Sequence, residues 1–370
     1  IFMFKTYGTL ITPPAKRKRM LIGKQFSPEF LQVSEDDAKH NQKFCIPSDP
    51  WRDRRGWGGV SWDVYGGVLE ELQNYNWNKP VRSEDKNKKK ELVGKCFEFP
   101  VHAFGYNWTD SNFNSGSKLA AKIDGIIKGY KETGRLCKYV ILVTHSMGGL
   151  VARSACVLHG AQSQVLGVIH GVQPAVGAPA AYWRMKAGFE RPGWCGPNKS
   201  WWDWFRNPLK MSEHVFGGIA SAWVLGTDGK EVTSLLGNMP GGLQLLPNTF
   251  YTDNKNNREW LTYPAKNREV KLPRENPYKD IYLLENEVYR AVNPEWLDPG
   301  NTVETTPGKK NSWELYQKYL KEAEKFHEKL QTQFHPETHQ FYVSGLDSPD
   351  KIVFTRKEHI YRPHHPHNQY

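Results

Sequence analysis

Ser146 stands at the point of this chain best arranged for chemistry. In Tyr139-Val140-Ile141-Leu142-Val143-Thr144-His145-Ser146-Met147-Gly148-Gly149 a β-favouring apolar run stops abruptly at a serine followed by two glycines. A serine hydroxyl is a weak nucleophile until a base takes its proton and its oxygen is held clear of the backbone. The sharp strand-to-helix turn G-x-S-x-G does the second job, and it needs tiny residues two before and two after the serine because the two backbones nearly touch there. Here the pattern reads Thr144-x-Ser146-x-Gly148, with threonine in the first glycine's place. A helical pattern begins at once, with Leu150, Val151, Ser154, Val157 and Leu158 on one side and Gly160 as its stop. A bare S-x-G arises by chance, but a buried strand directly before it and an amphipathic helix directly after it are what the turn requires. The competing reading is a strand-to-helix turn in which Ser146 merely caps the helix.

If Ser146 attacks a carbonyl, the oxyanion that forms needs preorganised donors. One is the backbone N–H of Met147, at the positive end of the new helix. The second is expected from another strand end, and Tyr7-Gly8-Thr9 fits, because it follows the short apolar run Ile1 to Phe4 and Gly8 lets backbone approach. An ordinary turn is the alternative there. His145 beside the serine reads as a packing residue of the turn, and His170 as a satisfied core histidine.

The elements that must position these residues alternate between strand and helix. Tyr65, Val68, Leu69, Leu72 and Tyr75 share a helical face, Cys96 to Phe104 reads as a strand, and Leu119, Ile123, Ile126, Ile127 and Tyr130 repeat at helical spacing between Ser117 as N-cap and Gly134 as stop. The strand before Ser146 is expected to be covered on both faces, and Val165 to Ile169 supplies another. This order implies a mostly parallel central sheet flanked by helices, the α/β class. Lys86 to Lys90 reads as a solvated loop. From Trp183 to about Tyr263 the chain is rich in Trp, Gly, Pro and Asn with poor periodicity, as expected for an insertion over the sheet. A long helix follows, with Tyr316, Tyr319, Leu320, Ala323 and Leu330 on one face, and Gln340 to Val343 returns to the sheet. The expected organisation is a core over 1–182, a cap with helices over 183–335, and a return to the core over 336–370 that is incomplete.

Composition narrows the classes. The 370 residues are 38% hydrophobic and 13% aromatic, enough for a sizeable core, which argues against disorder. No window approaches the roughly 18 consecutive apolar residues of a membrane helix. Fifty Lys+Arg against 39 Asp+Glu leave a net charge of +11, compatible with nucleic acid, an anionic membrane surface or simple solubility. Basic residues are scattered without a zinc-finger or RNP-type motif, which argues against nucleic acid. The five cysteines include no C-x-x-C pair, so neither a metal nor a redox cofactor is expected. The chain opens on Ile1 rather than Met and reads as a fragment.

With these residues in place, the chain resembles an α/β-hydrolase lipase of the lecithin-cholesterol acyltransferase type, and more closely the bacterial lipase effectors of type VI secretion. The passages that carry the likeness, in family order, are Gly56-Trp57-Gly58-Gly59-Val60-Ser61-Trp62-Asp63, Phe104-Gly105-Tyr106-Asn107-Trp108, the Ser146 turn through Arg153, Gly167-Val168-Ile169-His170 leading to Gly177-Ala178-Pro179, and Gly242-Leu243-Gln244-Leu245-Leu246-Pro247. The resemblance implies that Gly8 and Thr9 sit in the oxyanion loop and that Ser146 attacks an ester of a glycerophospholipid. It also implies a triad acid in a Gly-Asp-Gly type turn after a late strand, with the histidine further on, and no such turn occurs before Tyr370. Within the chain, Asp347 at the end of the strand one step earlier is the acid available, with Asp253 a second candidate; as a turn residue Asp347 has a structural reading too. His359, His364, His365 and His367 follow in the right order, and His365 is taken as the base, though the His-His-Pro-His cluster also reads as a solvated or metal-binding tail.

A lipase needs an apolar surface that meets its aggregated substrate. Trp194, Trp201, Trp202, Trp204 and Trp223 crowd the insertion beside Lys199, Arg206 and Lys210, a mixture suited to the headgroup interface and equally to the cap's own small core. By resemblance the chain is expected to be made in the cytoplasm, secreted by a route that needs no signal peptide, and active at another cell's membrane. An inhibitory immunity protein and a secretion spike protein are its expected partners. An acyltransferase using the same serine, and a non-catalytic membrane- or protein-binding module on a hydrolase fold, are the rival readings.

Overall fold

The computed structural model describes residues 52, 54–60, 62–77, 96–188, 229–265, 268–298, 312–342, 349–357 and 360–363. Two compact units divide them, one comprising the described residues up to 107 and the other those from 108 onward. The expected strand Ile1 to Phe4 and the run Lys86 to Lys90 lie outside the described residues.

In the first unit a tight turn, Trp57–Gly59, precedes helix α1, Trp62–Asn74. Gly56 opens the turn at φ 75°, and a Cβ there would press on the carbonyl oxygen of Ala103 at 2.6 Å, so glycine is required twice over. The indole N–H of buried Trp57 donates to the carbonyl of Val101 at 2.8 Å, and Val60, Leu69 and Ala103 complete a small core. Cys96 to Phe104, expected as a strand, forms no ladder among the described residues. Its backbone N–H groups at Val101 and Ala103 donate instead to Gln73 Oε1 and to the carbonyl of Arg55.

The second unit carries the sheet that presents Ser146. Strands β1, Val140–His145, β2, Val165–Gly171, and β5, Thr338–Phe341, lie parallel in the order β1-β2-β5. Helix α2, Asn112–Glu132, crosses helix α3, Gly148–Arg153, which continues as a π turn, Ser154–Leu158. The crossing point is Gly116, where any Cβ would overlap the side chain of Ser154. Helix α2 begins earlier than its apolar repeat suggests: the cap is Ser111, whose Oγ accepts from the N–H of Phe113 at 3.1 Å, and Ser117 lies inside the helix. Its first turn buries Asn112, Ser115 and Gly116, polar and small residues that leave no hydrophobic period to read. Strand β1 departs from expectation as well. Ile141 and Val143 are 48% and 51% exposed, so among the described residues only one face is packed by helices.

Farther along come α4, Pro179–Ala187, α5, Gly229–Leu236, α6, Pro240–Leu243, and α7, Ser312–Leu330. Helix α7 buries Tyr316, Leu320, Ala323, Phe326 and Leu330, a stripe at helical spacing. Helices α4 and α5 are clasped together: Thr233 Oγ1 donates to the carbonyl of Met185 at 2.9 Å, and Gly229 lies so close to the carbonyl of Lys186 that no side chain fits between. A second sheet has the order β4-β3-β6-β7, formed by β3, Leu261–Pro264, β4, Glu269–Leu272, β6, Ile352–Lys357, and β7, Ile360–Pro363. β3 and β4 form an antiparallel pair, and β6 joins β3 in parallel from ninety residues away. Beside this sheet is an aromatic layer in which Trp260 meets Tyr182, Tyr282 and Tyr251 at ring separations of 5.3, 6.4 and 6.4 Å. Tyr182, Tyr282 and Tyr316 are fully buried, and their hydroxyls donate to the carbonyls of Tyr289, Pro247 and Tyr282. No described helix is long and apolar enough to cross a membrane.

Candidate active site

Ser146 follows the last residue of β1 and holds φ 51°. For a residue with a Cβ the left-handed region costs about 1–2 kcal/mol, so the surroundings must impose it. They do so from both sides. The N–H of Ser146 donates to the carbonyl of Gly171 at the end of β2, 2.9 Å away, and the carbonyl of Ser146 accepts from the N–H of Gly149 at 3.0 Å. The carbonyl of Met147 accepts from Leu150 and Val151, which starts α3 without delay. Ser146 is half-buried and Met147 buried, and the N–H groups of such a first turn have no acceptor within the helix. Gly149 is pressed by the side chain of Gln173 from the segment after β2, which leaves no room for a Cβ.

Threonine in place of the first glycine has a structural use. Thr144 Oγ1 lies 2.7 Å from Nδ1 of His170, its cross-strand partner in the β1–β2 register. His170 is 3% exposed, and burial, then the nearby Arg153 charge, pulls its pKa down to about 4. It is therefore a neutral, hydrogen-bonded residue of the interior at ordinary pH. His145 lies on the exposed face of β1 with Ile141 and Val143, rather than packed beneath the turn. No side chain among the described residues hydrogen-bonds to Ser146 Oγ.

Two further residues hold the site's frame. Arg153, the last residue of α3, is 2% exposed and donates to three carbonyls: Nε to Gln333 at 3.0 Å, Nη1 to Ala175 at 3.1 Å and Nη2 to Gln331 at 3.0 Å. Its guanidinium also stacks 4.1 Å from the centre of the Phe334 ring. Burial lowers its pKa to about 10, which leaves it charged near neutrality. One side chain thus ties the helix after Ser146 to the segment after β2 and to the chain entering β5. Gln244 does similar work at 1% exposure. Its Oε1 accepts from both N–H and Nδ2 of Asn112, its Nε2 donates to Ser111 Oγ, and its carbonyl accepts from His327 Nε2 at 2.9 Å. The passage Gly242 to Pro247 is so fixed to the start of α2, and Gly177 packs on the carbonyl of Leu246 too closely for any other residue.

Of the residues singled out from sequence, Ser146 and Met147 sit together in this turn. Gly8, Thr9, Asp347, His365, Trp194, Trp201, Trp202, Trp204 and Trp223 lie outside the described residues. Asp253, the second candidate acid, is engaged in its own loop. Oδ1 accepts from the N–H groups of Lys255 and Asn257, and Oδ2 from Asn257 Nδ2, contacts that hold its carboxyl below the usual range. That pattern is a turn-stabilising aspartate, with no histidine among these partners. Sequence reasoning missed the roles of Arg153 and Gln244, whose partners lie up to 180 residues away and leave no local signal.

The family model described as PGAP1-like alpha/beta domain matches residues 109–187, the stretch that runs from the start of α2 through the Ser146 turn to α4. No curated protein matches. Among solved structures, the Tle4–Tli4 complex matches with a TM-score of 0.68 at 26% identity, covering 92% of this chain and 67% of that chain. Lipase BlEst2 of Bacillus licheniformis, in propeptide and mature forms, matches at 23% and 25% identity over 35% and 36% of this chain and 23% and 45% of its own, with a TM-score of 0.18 in each case. The strand, strained serine turn and helix, set in a parallel sheet, belong to an α/β-hydrolase fold, and the chain resembles the type VI secretion lipase effectors.

Proposed function

We propose that the protein is a serine lipase of the phospholipase A type, which hydrolyses acyl esters of membrane glycerophospholipids through an acyl-enzyme at Ser146. The observation that carries this reading is the left-handed Ser146 at the junction of β1 and α3, a strained conformation locked by Gly171 and Gly149. In the proposed step Ser146 Oγ bonds to the ester carbonyl carbon while a base takes its proton, and the negative charge on the carbonyl oxygen is met by the N–H of Met147 and by the backbone of Gly8 and Thr9. The C–O bond to the glycerol then breaks, the base returns its proton to the departing alcohol, and water releases the fatty acid by the same route. Asp347 and His365 are the proposed acid and base, by their order in the chain. The proposed domain plan is a core over 1–182, a cap over 183–335 and a return over 336–370. The cap's Trp194, Trp201, Trp202, Trp204 and Trp223 are proposed to meet the lipid surface.

The likeness to Tle4, which is solved in complex with Tli4, supports an inhibitory immunity protein as a partner and secretion into target cells; a spike protein as carrier is part of the proposal. No cofactor is invoked. The test is fatty-acid release from phospholipid vesicles. Ser146→Ala is expected to lower it by at least about 10⁴-fold with an unchanged melting profile, and equal activity in mutant and parent would sink the assignment.

A further inference from the structure

Ser146 is not the only residue at this end of the sheet that holds a left-handed backbone. Val172, the first residue past β2, has φ 46°. The β1–β2 register pairs His145 with Gly171, so Val172 takes the next position beside Ser146, about one strand spacing away. Of the four non-glycine residues with positive φ among those described, Val172 alone is β-branched. Such a residue is an outlier there, because its branched side chain crowds the backbone, whereas glycine adopts the same angle freely.

The surroundings impose the angle. The N–H of Val172 donates to the carbonyl of Phe341 at the end of β5, 3.3 Å away, and the carbonyl of Gln173 accepts from Ala175 at 3.0 Å. Gln173 is folded onto Gly149 in the turn after Ser146, and its Nε2 is sealed there without an acceptor. This segment therefore carries two penalties, a strained valine and an unpaired amide. Burial does not offset the first, since Val172 is 46% exposed. The ring of Phe341, 52% exposed, covers Gly171 where a Cβ would stand, so two open apolar groups lie beside the residue whose carbonyl holds Ser146. Ligands of parallel sheets bind beyond the carboxyl ends of the strands, and strain retained at such a place points to use rather than to packing. We infer that Val172 is a specificity-determining residue whose isopropyl group, with the Phe341 ring beside it, receives the first carbons of the acyl chain carried by Ser146. A side chain without polar atoms selects hydrocarbon and offers nothing to a glycerol or a headgroup. The inference rests on the acyl-enzyme reading.

Steady-state hydrolysis of p-nitrophenyl acetate and p-nitrophenyl hexanoate by the full chain tests it, alongside thermal melts. Val172→Gly is expected to lower the hexanoate-to-acetate ratio of kcat/KM by about tenfold. It should also raise the melting temperature, because glycine takes this backbone without strain. Val172→Asn tolerates the same backbone and presents a polar surface, so it should lower the ratio as Val172→Gly does. Val172→Ile keeps a branched apolar group and should keep the parent's ratio. Replacing nitrophenol by naphthol at fixed acyl length should leave these differences where they are. A ratio unmoved by both Val172→Gly and Val172→Asn, an effect that follows the alcohol instead of the acyl chain, or a lower melting temperature for Val172→Gly would each overturn the inference. The acyl-enzyme reading fails on a different measurement, a Ser146→Ala variant that still turns over. Hydrolysis that depends on Ser146 with no chain-length response to Val172 refutes this inference alone.

Discussion

The β1-β2-β5 sheet and the aromatic layer beside the β3-β4-β6-β7 sheet are fixed by opposite means. Around Ser146 the backbone is strained, the sheet is apolar and half-covered, and order comes from buried polar side chains that reach across the chain, Arg153 to three carbonyls and His170 to Thr144. In the aromatic layer, bulk does the filling, and phenol hydroxyls add single donations to carbonyls. The difference teaches where each region is brittle. A buried charge that loses its place strands several groups at once, whereas a lost hydroxyl strands one.

Four experiments separate the two regions. The largest effect belongs to Ser146→Ala, which should abolish fatty-acid release while the urea midpoint stays put, since the site and not the frame is removed. Next, Arg153→Met is expected to cost about 3 kcal/mol or more, read from urea unfolding, because three part-buried carbonyls lose their donor. An acid limb should follow from His170 and His327, both held near pKa 4 by burial against 6.5 for the free side chain. The unfolded chain binds more protons between those values, so stability is full above about pH 6.5 and declines as pH falls toward 4. His170→Asn should make that decline shallower in thermal melts taken across the range. The smallest effect is expected for Tyr282→Phe, about 1–2 kcal/mol, because only the bond to Pro247 is lost while the ring stays. Should Tyr282→Phe prove costlier than Arg153→Met, the contrast between the regions would collapse.

The same contrast explains what could be read from sequence. The Ser146 turn was legible because its demands are local: five β-favouring residues, a serine, two glycines, then a helical period. The parallel pairing of β1 and β2 followed from alternation, and the return to the sheet expected over 340–343 is β5, two residues earlier at Thr338–Phe341. The second sheet was not legible, since β3 and β4 are four residues each and β3 takes its parallel partner from ninety residues away. The start of α2 was misread for a related reason: a buried first turn made of Asn112, Ser115 and Gly116 is held by Gln244, and no spacing announces a partner 132 residues distant. A β-favouring composition misled at Cys96 to Phe104, where the N–H groups of Val101 and Ala103 bond to Gln73 and Arg55 and no strand ladder forms.

The clasp between α4 and α5 has a meaning for variation. Gly229 lies against the Lys186 carbonyl and the Thr233 hydroxyl bonds to the carbonyl of Met185, so the end of α4 and the start of α5 meet directly. Closing a loop costs entropy that grows only with the logarithm of its length, about 0.6 kcal/mol per doubling, and here the closure belongs to the helices themselves. The contact between α4 and α5 should thus survive changes in the length of chain that joins them, which urea unfolding of variants with different joining lengths would show.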